Sequence, residues 1–235
     1  MYSTVEIVVI LSHLSAIHRA VTDNKSRYAI ILEDDFVLPF HFNMSSLVEV
    51  APKGFAMIQL ITSYRAALIN NLNHYIPRNV TFRHREPHNC CMGAYLIDTE
   101  RFRPFIDAAF KVDDEDSVPV VNLFILHNCD LNSRFIFPTI CSPYMFTADY
   151  TLYHIFQNDT YLSTYPFAES MNTKLKNGSA SGVQGKKGSD AYNLRTLSIA
   201  NKYVEKMKSG SVKVPSFAYQ HFGVDGQDIY DSYFP

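Results

Sequence analysis

The chain has 235 residues, 47% of them hydrophobic, which is enough for one sizeable domain with a buried core. Its formal net charge is −2 and the charges are mixed along the sequence, so binding to nucleic acid or to an acidic membrane surface is not expected. The apolar run at residues 8–11 is far too short to cross a bilayer, so no membrane span is predicted. The four cysteines include no C-x-x-C pair, which argues against a zinc site, and a disulfide framework is neither required nor excluded.

The first predicted element is a helix that runs from Ser3 to about Asp23. Residues 3–6 have the spacing of a capping box, and apolar residues then recur every three or four positions. Ser12 and His13 lie side by side on this helix, and we expect both to face the acidic strand end that follows. There His13 would hydrogen-bond toward a phosphate or a metal-bound water. The alternative is a half-buried histidine that is satisfied by a neighbouring carbonyl.

A short strand is predicted next, at residues 29–32, from an unbroken apolar run of the kind found in parallel or mixed sheets. Three adjacent carboxylates, Glu33, Asp34 and Asp35, follow it directly and precede a second apolar run. Like charges between apolar residues repel one another and resist burial. A divalent cation at the carboxyl end of the strand would explain them, and such hard oxygen ligands suit Mg²⁺ or Mn²⁺. The alternative is a strand end with solvated acids.

Up to residue 110, the pattern predicts short elements separated by turns. Strands are expected at residues 55–60, 79–83 and 91–97. Helices are expected at residues 43–50 and 98–110. Gly93 lies inside the third of these strands, which suggests a close approach of the backbone or a bulge. Residues 61–78 are expected to form an irregular loop, in which Arg65 either steadies a phosphate or is simply solvated.

Beyond residue 110, the sequence predicts a solvated acidic loop, a helix at residues 120–127 and a strand at residues 134–138. Residues 171–190 are rich in glycine, serine, lysine and asparagine and are predicted to form a flexible linker or mobile loop. Residues 191–235 are predicted to form a helix through Lys208 and an aromatic tail, both packed on the preceding domain.

Two blocks of this sequence together resemble glycosyltransferase family 25, which includes lipopolysaccharide glycosyltransferases and collagen galactosyltransferases. The first block is Leu11-Ser12-His13-Leu14 in a capped helix, and the second is Leu32-Glu33-Asp34-Asp35 at a strand end. The spacing between them is similar to that in the family. A third block, Gly93-Ala94-Tyr95-Leu96-Ile97, resembles a later segment of the family. The resemblance covers residues 3–145.

The resemblance implies a GT-A-like α/β fold over residues 1–170, with a mixed, mostly parallel sheet flanked by helices but without the usual first strand. It implies that a sugar such as galactose is moved from a nucleotide-sugar donor to an acceptor hydroxyl. The expected donor is a UDP-sugar, and the expected acceptor is a glycan, a lipid-linked sugar as in lipopolysaccharide, or a protein. The three carboxylates would then be the equivalent of the family's D-x-D motif. An Mn²⁺ or Mg²⁺ ion held there would neutralise the diphosphate leaving group, and a further carboxylate would take the acceptor proton.

The resemblance also implies roles for particular residues. The expected catalytic residues are Asp34, Asp35 and Asp116. The expected donor-binding residues are Ser12, His13, Glu33 and Arg65. The expected metal ligands are Glu33, Asp35 and His221. Val121 stands where the family commonly has an aspartate, so Asp116, or alternatively Asp114, is expected to take that role. His221 is included because related enzymes often recruit a histidine from a late segment; the alternative is a histidine packed among the aromatic residues of the tail.

Two other functions remain open at this point. The family usually begins with a strand and an arginine-bearing segment that this chain lacks, which suggests a non-catalytic sugar- or partner-binding relic of the same fold, or a truncated fragment. A phosphatase-like hydrolase that uses Asp34 and Asp35 is a third hypothesis. The compartment is also open, since bacterial relatives work at the cytoplasmic membrane face and eukaryotic ones in the secretory pathway.

Overall fold

A computed structural model describes residues 4–23, 25–86, 89, 91–111, 120–121, 130–131, 135–136, 152–153, 156–171 and 187–220. Its α-helices include α1 (Thr4–Thr22), α2 (Met44–Val50), α3 (Arg65–Asn70), α4 (Thr99–Ala109) and α5 (Lys187–Lys208). A π-helix, Asn71–Tyr75, and a 3₁₀ turn, Ile76–Arg78, continue α3. Among the residues that the structure describes, no helix combines the length and apolar character needed to span a membrane.

The strands of the described residues are short. They are β1 (Tyr28–Leu32), β2 (Phe36–Val37), β3 (Phe40–Phe42), β4 (Met57–Gln59), β5 (Phe82–His84), β6 (Ala94–Asp98), β7 (Phe110–Lys111), β8 (Val120–Val121), β9 (Asp130–Leu131), β10 (Phe135–Ile136), β11 (Thr160–Ser163), β12 (Glu169–Ser170) and β13 (Ala218–Gln220). Asn43 and Asp98 cap α2 and α4, because each side chain accepts a hydrogen bond from a backbone amide of the first turn.

The main sheet has five strands in the order β1-β6-β4-β11-β5. Among the described strands of this sheet, only the β4–β11 pair is parallel, whereas β1–β6, β4–β6 and β5–β11 are antiparallel. The expected mixed sheet flanked by helices is therefore present, but the expectation of mostly parallel pairing is wrong. The reason is that β6 runs between β1 and β4 in the opposite direction, which separates two strands that point the same way. The ends of β1 and β4 and the start of β6 consequently share one edge of the sheet.

Helices cover both faces of the sheet, because successive side chains of each strand point to opposite sides. Tyr95 and Ile97 of β6 pack in a core cluster with side chains of α1 and α4. Ala94 and Leu96 pack in a second cluster with side chains of α2, α3 and α5. The sheet is thus the middle layer of a three-layer α/β arrangement.

Two local predictions are wrong. The segment at residues 61–78 is helical from Arg65 onward, and its buried Ala67 and Leu68 supply the apolar contacts that its polar neighbours obscured in the sequence. Val120–Val121, expected to open a helix, instead pairs antiparallel with Phe110–Lys111. Pairing of β-branched valines on a strand is consistent with their backbone preference.

The C-terminal segment folds back on the rest of the chain. Helix α5 begins at Lys187, inside the predicted linker, and ends at Lys208, while residues 172–186 of that linker lie outside the described residues. The helix packs against α3 and β12. After it, β13 pairs antiparallel with β3.

Candidate functional site

The three adjacent carboxylates form a tight turn at the edge of the sheet, which we call the acidic turn (Glu33, Asp34 and Asp35). The turn closes with a hydrogen bond from the Phe36 amide to the Glu33 carbonyl, 3.1 Å long. Two further backbone bonds hold it from either side. The Glu33 amide donates to the Gly93 carbonyl at 2.9 Å, and the Met171 amide donates to the Asp35 carbonyl at 2.8 Å. The acidic turn is therefore fixed to the start of β6 and to the end of β12.

Gly93 permits this arrangement because its missing side chain makes room for Phe36. A β-carbon built at Gly93 would overlap the ring of Phe36, which is itself buried. A close approach was expected at this glycine, and it is the ring of Phe36 that makes it, directly before β6 and not inside the strand. Any other residue there would push Phe36, and with it the acidic turn, away from β6.

Asp35 is the carboxylate whose ionisation the fold opposes. It is half-buried, and this burial, with smaller contributions from the charges of Glu33 and Asp34, raises the pKa of its carboxyl group. Asp34 is exposed at the tip of the turn. The acidic turn therefore places three carboxylates together at a point where burial opposes the ionisation of one of them.

His13 of α1 lies directly against the acidic turn. Its ring is buried, its Nε2 atom is 3.1 Å from Oε1 of Glu33, and its Nδ1 atom is 3.0 Å from the hydroxyl of Tyr95. An ionised carboxylate can only accept, so in neutral His13 the proton is on Nε2 and the Tyr95 hydroxyl donates to Nδ1. The expected orientation of His13 is confirmed, and its role in donor binding stays a prediction.

Ser12 and Arg65 are not brought to the carboxylates by any contact among the described residues. The Ser12 side chain is exposed and its hydroxyl donates to the Val8 carbonyl of its own helix at 2.9 Å. Arg65 is exposed at the start of α3 and lines a separate groove. Both residues follow the helical periodicity of their segments, which orients them toward solvent.

The predicted metal ligands are only partly described. Glu33 and Asp35 share the acidic turn, whereas His221, like the predicted catalytic Asp116, lies outside the described residues. Over the part of the chain that the structure describes, no group of three or more histidine, cysteine, aspartate or glutamate side chains is placed to hold a metal ion.

A buried polar network next to the acidic turn was missed by sequence reasoning. Gln59 of β4 is the direct ladder partner of Tyr95 in β6. Its side-chain oxygen accepts a hydrogen bond from Nε of Arg85 at 2.6 Å, and its Nε2 donates to the Cys91 carbonyl at 2.7 Å. Arg85 is itself buried and also donates to the carbonyl of Asn89 at 2.9 Å. The one sequence signal was Gln59, a polar residue inside an apolar run.

Helix α5 contributes a second anchor that the sequence did not indicate. The buried side chain of Asn201 accepts from the Ser170 amide at 3.1 Å and donates to the Ser170 carbonyl at 2.7 Å. Ser170 precedes Met171, whose amide holds Asp35. The end of β12 therefore connects α5 to the acidic turn.

Comparison of the chain with protein-family models, with curated proteins and with solved structures found no match.

Proposed function

We propose that this chain is a metal-dependent glycosyltransferase that moves a sugar from a nucleotide-sugar donor to an acceptor hydroxyl. The observation that carries the proposal is the acidic turn, in which three carboxylates lie at the shared end of β1 and β4. Ligands of open α/β sheets bind at this kind of edge. The resemblance of the three sequence blocks to glycosyltransferase family 25 supports the same reaction, and a GT-A-like fold is part of the proposal.

The carboxylates of the acidic turn fit a hard divalent cation. Mg²⁺ is usually held by one or two carboxylates together with waters and substrate phosphates, so two side chains of this turn suffice. We assign Glu33 and Asp35 as the ligands, because the opposed ionisation of Asp35 is what a nearby cation would relieve. When bound there, Mn²⁺ or Mg²⁺ supplies charge neutralisation to the diphosphate leaving group.

The residues around the acidic turn then have distinct tasks in the proposed reaction. His13 donates from Nε2 to Glu33 and so orients that carboxylate. The Tyr95 hydroxyl donates to Nδ1 of His13 and thereby keeps the proton of the neutral ring on Nε2. Asp34 is the exposed carboxylate of the turn. It accepts the proton of the acceptor hydroxyl as that oxygen bonds to the anomeric carbon and the nucleoside diphosphate leaves. The proposed donor is a UDP-sugar, and the proposed acceptor is a glycan, a lipid-linked sugar or a protein.

The test is calorimetric titration of UDP into the full chain with and without Mn²⁺, together with an assay for sugar release from UDP-galactose. Asp35→Asn is expected to weaken Mn²⁺-dependent UDP binding about tenfold or more, the usual scale for a lost ligand-shell group. Asp107→Asn, which makes the same change at an exposed site on α4, is the matched control. Unchanged Mn²⁺-dependent affinity in Asp35→Asn would refute the proposal.

A non-catalytic sugar-binding protein is the second candidate. The raised pKa of Asp35 and the hydrogen-bonded state of Glu33 also suit carboxyl groups that bind sugar hydroxyls without a metal. Sugar binding that is undiminished by EDTA, with no donor turnover in Mn²⁺, would favour this candidate over the transferase.

A further inference from the structure

A groove lies between α3 with its π-helical extension and the first turns of α5. We call it the Arg65 groove, and its volume is about 610 Å³. It is lined by Arg65, Ala66, Ile69, Asn70, His74 and Tyr192. None of these residues belongs to the acidic turn.

The charge of the groove favours an anion. Arg65 and His74 are both exposed, and within the described part of the chain neither side chain makes a hydrogen bond or an ion pair. Among the described residues that line the groove there is no carboxylate. A guanidinium offers five donors in a planar fork that matches the oxygens of a phosphate or a carboxylate.

The remaining walls favour a ring-shaped, hydroxyl-bearing ligand. Tyr192 is 41% exposed and Ile69 is 37% exposed, so the groove contains apolar surface that the fold leaves uncovered. An aromatic ring of this kind can lie against the apolar face of a sugar. The side-chain amide of Asn70 both donates and accepts hydrogen bonds, as sugar hydroxyls require.

The backbone under the groove is unusual. His74 is presented by the π-helix Asn71–Tyr75, and such wide turns are rare and occur frequently at functional sites.

The groove is also separate from the acidic turn. Tyr192 lies nine residues before Asn201 on α5, which corresponds to about 14 Å along the helix axis at 1.5 Å per residue.

We propose that the Arg65 groove binds an anionic sugar, whose oxyanion is a phosphate or a carboxylate. Arg65 and His74 hold the oxyanion, Tyr192 covers the ring, and Asn70 bonds a hydroxyl. Arg65 thus serves this site and not the phosphates of a donor at the acidic turn. The proposal does not depend on the transferase reaction.

The test measures the binding of small molecules to the full chain in the presence of EDTA. Binding is detected by changes in the amide NMR spectrum, and affinities are measured by calorimetry. The probes are glucose 1-phosphate, glucuronate, neutral glucose and inorganic phosphate. We expect at least one of the two anionic sugars to bind more tightly than both glucose and inorganic phosphate, and the stronger of the two identifies the oxyanion. Arg65→Gln and Tyr192→Leu are each expected to weaken that binding tenfold or more. Arg78→Gln makes the same charge change at an exposed position outside the groove and should leave the affinity unchanged.

Three results would overturn the proposal. The first is that no anionic sugar binds more tightly than glucose and phosphate. The second is that Arg65→Gln and Arg78→Gln lose affinity for the anionic sugar equally. The third is that Asp35→Asn loses this affinity while Arg65→Gln retains it. The last result would place the ligand at the acidic turn. Retained binding in Asp35→Asn supports the groove whether or not the chain transfers sugars, so failure of one proposal is distinguishable from failure of the other.

Discussion

At the scale of single residues, Asp35 shows how the acidic turn opposes the stability of the fold. Burial and the neighbouring charges of Glu33 and Asp34 raise the pKa of its carboxyl group above the ordinary value of 3.8. Between that value and the raised pKa, the folded chain binds a proton that the unfolded chain has released. The free energy of unfolding is therefore expected to fall as the pH rises through this window.

The corresponding prediction is that Asp35→Asn stabilises the metal-free protein at pH 7. The amide removes the buried charge and its repulsion from Glu33 and Asp34. The gain should disappear below about pH 3.8, where Asp35 is protonated in both the folded and the unfolded chain. Urea unfolding in EDTA at pH 3 and pH 7 measures the difference.

Asp34→Asn provides the comparison at the same turn. Asp34 is exposed, so its replacement removes only part of the repulsion on Asp35, and we expect a smaller gain at pH 7. A gain in Asp35→Asn that is equally large at pH 3, or no gain at pH 7, would contradict the electrostatic explanation.

At the scale of secondary-structure elements, the contact between α5 and β12 decides how firmly the acidic turn is held. The side-chain amide of Asn201 satisfies both backbone groups of Ser170, which is fully buried. The next amide, that of Met171, bonds to the Asp35 carbonyl. A helix far along the chain thus fixes the backbone of a turn near its beginning.

We predict that Asn201→Ala lowers the free energy of unfolding by roughly 2 kcal/mol or more, since two buried backbone groups lose a partner. Hydrogen exchange of the Met171 amide should become faster because the strand that carries it is released. Urea unfolding and native-state exchange measure the two effects. Lys202→Ala, at the adjacent exposed position, should change neither quantity by a comparable amount, and an equal effect in that variant would argue against the contact.

At the scale of the whole molecule, Phe217 joins parts of the chain that are distant in sequence. Its ring is buried, and its centre lies 6.3 Å from that of Phe42, 6.0 Å from that of Phe82 and 5.5 Å from that of Phe167. The strand that follows it pairs with β3. Residues 217–218 are therefore part of the core on this side of the sheet.

Phe217→Ala is expected to lower the free energy of unfolding by roughly 3–5 kcal/mol, the usual range for removing a fully buried aromatic ring. Tyr219→Ala removes a ring of similar size from the same segment, but this ring is 54% exposed and should cost less than about 1 kcal/mol. Chemical unfolding of both variants gives the comparison. Similar losses in the two variants would show that the C-terminal segment is not integrated into the core.

The sequence by itself determined the features that depend on a few neighbouring residues. The starts of α2 and α4, the strand that ends in the acidic turn and the close approach at Gly93 all follow from such short-range patterns. These features were predictable because a cap, a period or a missing β-carbon acts within one or two turns of the chain. His13 was expected to face the carboxylates from its place on the preceding helix and from the resemblance of its block to the family, and it lies against Glu33, 20 positions away. The same expectation was wrong for Ser12, whose side chain is exposed.

Only the tertiary structure decided which elements became neighbours. The hydrogen bond between His13 and Tyr95 spans 82 positions, and the one between Asn201 and Ser170 spans 31. The apolar runs of β1, β4 and β6 indicated strands but carried no information about their direction. Parallel and antiparallel pairing of these strands would bury the same side chains. The antiparallel insertion of β6 between β1 and β4 is what put the acidic turn, Gly93 and the polar network on one edge. That choice depends on the packing of the whole chain, because the free energy of burial is shared among all layers of the fold.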